Sequence, residues 1–134
     1  MAKRLLVVDD ALIIRELVKD AVSNGGWEVC GEASDGRQAV EQYRSLRPDA
    51  VTLDLVMPEY DGLYALRHIR EFDSAARVLV VSAIDQTDTL KEALTAGAAD
   101  FIVKPFDGAR VVQALDCIMR STLPETDTVE APAH

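Results

Sequence analysis

Short runs of Val, Leu and Ile, each too brief for a helix, alternate five times with longer segments whose apolar residues recur every three or four positions. Runs of the first kind suit strands covered on both faces, and segments of the second suit helices with one buried stripe. The chain is therefore predicted to fold as repeated β-α units around a parallel sheet. The first run is RLLVV (4–8), and the helix after it turns Ile13, Ile14, Leu17, Val18, Ala21 and Val22 inward before Gly25 and Gly26 close it. WEVCGEA (27–33) reads as a shorter, more exposed strand. Ala39, Val40, Tyr43 and Leu46 mark the next helix, opened by SDG (34–36) and stopped before Pro48. A third strand is expected at about 50–54, then a helix burying Leu63, Leu66, Ile69 and Phe72. RVLVVSA (77–83) gives a fourth strand, and Leu90, Ala93 and Leu94 a fourth helix ending at Gly97. DFIVK (100–104) gives the fifth strand. Asp107 caps a last helix with Val111, Val112, Leu115, Ile118 and Met119 inward.

Within the third run, DAVTLDLVMPEYDG (49–62), Asp54 is out of place. A carboxylate in such surroundings costs several kcal/mol unless something pairs with it. Parallel strands joined by right-handed crossovers all finish on one edge of the sheet, where open α/β folds place their sites. Asp9 and Asp10, Asp54, Ser82, and Lys104 followed by Pro105 stand at four of these strand ends. Each alone has an ordinary explanation, since acids in such loops often cap the next helix. Three carboxylates converging on one edge repel each other, and a bound hard cation removes the conflict. The oxygen-rich set suits Mg²⁺, and the lack of nearby Cys and His disfavours Zn²⁺.

With 134 residues, 49% of them hydrophobic, the expectation is one domain with one core. Fourteen Lys and Arg against 23 Asp and Glu leave a net charge of -9, which argues against a nucleic-acid or anionic-membrane surface. Cys30 and Cys117 lack metal-ligand spacing and are expected to be buried small hydrophobes in a reducing compartment. The N-terminal apolar stretch, Leu5 to Val8, is too short for a signal peptide or a membrane span, so a cytoplasmic location is expected. Residues 122–134 hold two prolines, three acids and no Lys or Arg, and are expected to form a disordered tail after a domain spanning 1–121. Trp27 is expected to anchor the second strand, and Met57, His68 and Met119 to play no functional part.

LLVVDDA, PDAVTLDLVMPEYDGL, VLVVSA and AGAADFIVKPF, with the spacing between them, resemble the receiver domains of two-component response regulators from Lys3 to about Arg120. The likeness is greatest to small single-domain chemotaxis regulators. It implies a flavodoxin-like doubly wound (βα)5 fold with strand order 2-1-3-4-5. It implies that Asp54 accepts a phosphoryl group from a sensor histidine kinase. Asp10, Asp54 and the Val56 carbonyl would bind Mg²⁺ directly, and Asp9 would do so through water. Lys104, before a cis peptide bond to Pro105, would pair with the phosphoryl oxygens, and Ser82 would donate a hydrogen bond to them. Phe101 stands where the family carries a switch aromatic, although plain core packing is an equal reading; as Phe it lacks the hydroxyl of the Tyr common in chemotaxis regulators. Val56 and Ile84 stand where the family positions the attacking water, and as apolar residues they imply slow self-dephosphorylation. A downstream effector would read the face of the fourth helix, fifth strand and fifth helix. The protein would be a monomer or a phosphorylation-dependent dimer, and a signalling switch rather than an enzyme.

Other assignments share some of these features. The chain could be the receiver half of a longer transcriptional or enzymatic regulator. A flavin-binding flavodoxin-like module would need amides and hydroxyls, not the acids of DDALI, after the first strand. A haloacid-dehalogenase-type phosphatase would need a second acid where Val56 stands and a nucleophile on the first strand.

Overall fold

Each apolar run is a strand, because its Val, Leu and Ile side chains are covered on both faces only within a sheet flanked by helices. A computed structural model describes residues 2–120. In chain order the elements are β1 (Lys3–Val8), α1 (Leu12–Asn24), β2 (Trp27–Ala33), α2 (Gly36–Leu46), β3 (Ala50–Asp54), α3 (Gly62–Phe72), β4 (Val78–Ala83), α4 (Thr87–Thr95), β5 (Asp100–Lys104) and α5 (Gly108–Arg120). The strands pair in parallel in the order β2-β1-β3-β4-β5, as expected. The tail predicted at 122–134 lies outside the described residues.

Strand alternation divides the core into two layers. Leu5, Val7, Ala50, Leu79, Val81 and Ile102 face α1 and α5, while Leu6, Val8, Val51, Leu53, Val78 and Val80 face α2, α3 and α4. A bulge in β2 reverses its alternation, since Leu5 pairs with Val29 but Leu6 with Gly31. Cys30 is the extra residue and is only half-buried. Asp35, Asp61 and Asp107 cap α2, α3 and α5 by accepting from Gln38 N, Tyr64 N and Arg110 N at 2.9–3.0 Å. No side chain caps α1, whose preceding acids are oriented elsewhere.

Several inward assignments were displaced. Ile13 is 74% exposed and Leu17 is also exposed, because the buried stripe of α1 runs through Val18 and Val22. Phe72 lies at the surface beneath the guanidinium groups of Arg47 and Arg44, 4.6 and 5.7 Å from its ring centre. Leu94 is exposed, and so is Cys117, on the outer side of α5. β2 is the longest strand rather than a shorter one, and its exposure comes from lying at the sheet edge. Trp27 is fully packed, its Nε1 donating to Asp116 at 3.1 Å.

One close approach fixes the loop after β3. Gly62 N donates to the Leu55 carbonyl at 3.1 Å, and a Cβ on Gly62 would stand 2.6 Å from Leu55 Cα and against the Asp54 carbonyl. These neighbours are backbone atoms and cannot swing aside. Gly62→Ala should destabilise the protein by about 1–3 kcal/mol, seen as a lower urea midpoint at unchanged slope.

Candidate functional site

Asp54 is the last residue of β3 and only 4% exposed. It shares a strand face with Ala50 and Thr52, so its carboxylate lies on the α1/α5 side of the sheet. Lys104 reaches the same side from the end of β5, two residues beyond Ile102. Its Nζ lies 3.4 Å from Asp54 Oδ2 and 3.4 Å from Asp9 Oδ2. Both separations exceed an ideal charge-assisted bond, so the ammonium straddles two acids and satisfies neither fully. The Lys104–Pro105 bond is cis.

Asp9 is fixed at every polar atom. Its amide donates to Ala33 O at 3.1 Å, its Oδ1 accepts from Ala11 N at 2.9 Å, its Oδ2 faces Lys104, and its carbonyl accepts from Arg15 Nη1 at 2.7 Å. Asp10, the next residue, is exposed. One carboxylate oxygen from each of Asp9, Asp10 and Asp54 falls within 4.8 Å of the others. Three carboxyl groups thus meet with one ammonium, which lies against two of them. Burial, and next the charge of Asp9, push the Asp54 carboxyl up to about 6 against the opposing pull of Lys104. A hard divalent cation fits this set: the donors are all oxygen, the charge is unbalanced, and Asp10 leaves one side open to water.

The remaining predicted residues lie on β4, on β5 and on the loops after β3 and β4. Ser82 is fully buried at the end of β4 and follows Val80 on the α2–α4 side, opposite Asp54 in the pleat. Its hydroxyl donates to the Ala83 carbonyl at 3.0 Å. Phe101 is partly buried and packs on that same side against the core with Leu90, Ala96 and Ala98. Val56 and Ile84 project into solvent, 51% and 82% exposed, from the loops after β3 and β4. Val56 N donates to Asp54 Oδ1 over a long 3.3 Å. Arg15 and Glu32, which brace the notch from behind, gave no sequence signal. They lie 17 positions apart on different elements, and only the fold joins them at 2.9 Å.

Residues 5–116 match the response regulator receiver domain, and the chain belongs to that family. It is similar to the chemotaxis protein CheY of Thermotoga maritima, 48% identical over 120 residues that cover 90% of this chain and all of that one. It is 47% identical to CheY of Bacillus subtilis over 116 residues, 87% of this chain and 97% of the relative. Among solved structures, the complex of CheX, CheY, BeF3 and Mg²⁺ from Borrelia burgdorferi superposes with a TM-score of 0.83 at 36% identity, covering 87% of this chain and 89% of that one. The chain is a CheY-like, phospho-accepting receiver of the chemotaxis type, a signalling switch rather than a catalytic enzyme. This sets aside the flavin-binding and phosphatase assignments. No helix among the described residues is long and apolar enough to cross a membrane.

Proposed function

We propose that Asp54 is the nucleophile that takes a phosphoryl group from a histidine of a sensor kinase in the cytoplasm, forming an acyl phosphate. The supporting observation is its buried carboxylate, closed in by two further acids and one ammonium at the carboxyl edge of the sheet. Asp10 and Asp54, with the Val56 carbonyl, would hold Mg²⁺, and Asp9 would act through water; bound there, the ion would neutralise phosphoryl oxygen charge. Attack by an Asp54 oxygen on phosphorus forms the O–P bond as the P–N bond of phosphohistidine breaks. Lys104 then exchanges its carboxylate partners for a phosphoryl oxygen, a stronger point charge at the same place.

The hydroxyl of Ser82 gives up the Ala83 carbonyl and donates to the phosphoryl group, drawing the β4–α4 loop inward. The space this leaves on the α2–α4 side is taken by Phe101, which changes the α4-β5-α5 face that a downstream effector reads. The domain doing this spans residues 1–121.

Mixing the protein with acetyl phosphate and Mg²⁺ is expected to add one phosphoryl group per chain, located by mass spectrometry on Asp54. No adduct, or an adduct retained after Asp54→Ala, would refute the assignment.

A further inference from the structure

Arg15 lies in the first turn of α1 with its side chain only 16% exposed, and it is turned back toward β1. Its Nη1 donates to the Asp9 carbonyl at 2.7 Å while its Nε donates to Glu32 Oε1 at 2.9 Å on the edge strand. The other Glu32 oxygen is held by Lys19 at 2.8 Å. The guanidinium is thereby fixed from behind and presents one N–H to a backbone acceptor.

That acceptor matters because of the peptide bond it belongs to. The Asp9 carbonyl and the Asp10 amide lie in one rigid plane, so a bond that fixes the oxygen also fixes the direction in which the chain enters Asp10. Asp10 is exposed, unlike Asp9 and Asp54, and depends most on its backbone for direction.

We infer that Arg15 is a positioning residue for cation binding: by holding the Asp9–Asp10 peptide plane it aims the Asp10 carboxylate into the acidic notch, with Glu32 fixing the guanidinium. The inference rests on the reading of the notch as a Mg²⁺ site. A guanidinium fork is required, since two donors in fixed relative directions must serve a carboxylate and a carbonyl at once, which an ammonium on a flexible stem does poorly.

Charge and geometry predict opposite results, which makes the inference testable. Removing a cation beside a Mg²⁺ site would tighten binding if Arg15 acted by charge alone. Loss of its positioning would weaken binding, and outer-shell partners of metal ligands commonly contribute about 10- to 100-fold in affinity. Calorimetric titration with Mg²⁺ should therefore show Arg15→Gln binding roughly 10-fold more weakly than wild type. Arg15→Lys, which keeps charge and most of the stem, should also bind several-fold more weakly. Arg37→Gln removes an equal charge from α2 that pairs with Glu41 and contacts neither Asp9 nor Glu32, and should bind Mg²⁺ as wild type or slightly tighter. In the metal-free proteins, the Asp9 amide, which donates to Ala33 O at 3.1 Å, should exchange hydrogen faster in both Arg15 variants and not in Arg37→Gln.

The inference is overturned if the folded Arg15 variants bind Mg²⁺ as tightly as wild type, or if Arg37→Gln weakens binding equally. Should wild type itself bind no Mg²⁺, the metal reading falls and takes the inference with it.

Discussion

Asp54→Asn is expected to abolish phosphoryl uptake and yet to make the metal-free protein more stable at neutral pH. Burial and the charge of Asp9 raise the Asp54 carboxyl from 3.8 to about 6 in the folded state. A group whose pKa is raised on folding binds more protons in the native than in the unfolded state between those two values. Stability from this group is therefore full below about pH 4, falls as pH rises through about 6, and stays low above it. Two pKa units correspond to ~3 kcal/mol, or roughly 10 °C in melting temperature for a domain of this size. Asparagine keeps the shape and removes the charge. The variant should melt well above wild type at pH 7.5, and the gap should vanish toward pH 4. Millimolar Mg²⁺ should narrow the gap at pH 7.5, because the cation stabilises only a protein that binds it well. Thermal melts at three pH values with and without Mg²⁺ check each step; a wild type no less stable than the variant at pH 7.5 would refute the burial argument.

The second large effect concerns the lifetime of the phosphorylated state. Val56 and Ile84 are exposed on the loops after β3 and β4, and as apolar side chains neither can accept a proton from, or orient, a water attacking a phosphoryl group on Asp54. Positioned general bases contribute about 10²–10⁴-fold to such steps. The double variant Val56→Asn, Ile84→Glu introduces an amide and a carboxylate on these two loops, and should speed loss of the phosphoryl group by on the order of 10-fold or more. Both sites face solvent, so the melting temperature should change little. The measurement is the decay of radiolabelled protein after removal of the donor. Unchanged decay would show that the two loops do not set the lifetime.

The strands were legible because each is a brief apolar run, most of them flanked on at least one side by Gly, Pro or an acid, and β2, β3 and β5 begin and end where predicted. Asp9, Asp10, Asp54 and Lys104 were legible for a related reason: parallel topology turns three separate strand ends into neighbours. What sequence could not supply was the rotation of α1 about its own axis. Ile13 and Leu17 fit a helical stripe as well as Ile14 and Val18 do, and only packing against α5 chooses between them. Phe72 escaped for another reason, since two arginines from α2 and the residue after it cover the ring where core contacts were expected. Ser82 was assigned to the correct edge, but its place on the opposite side of the pleat follows from strand register, which spacing along the chain does not reveal.

The division of the core by the sheet has a consequence for how such a switch can diverge. Asp9, Asp54 and the ammonium stand on one side of a β-wall and Phe101 on the other, so under the proposed switch chemistry and output would occupy separate chambers, with Ser82 at the rim between them. Repacking α4 could thus give the protein a new listener while leaving its uptake of phosphate intact.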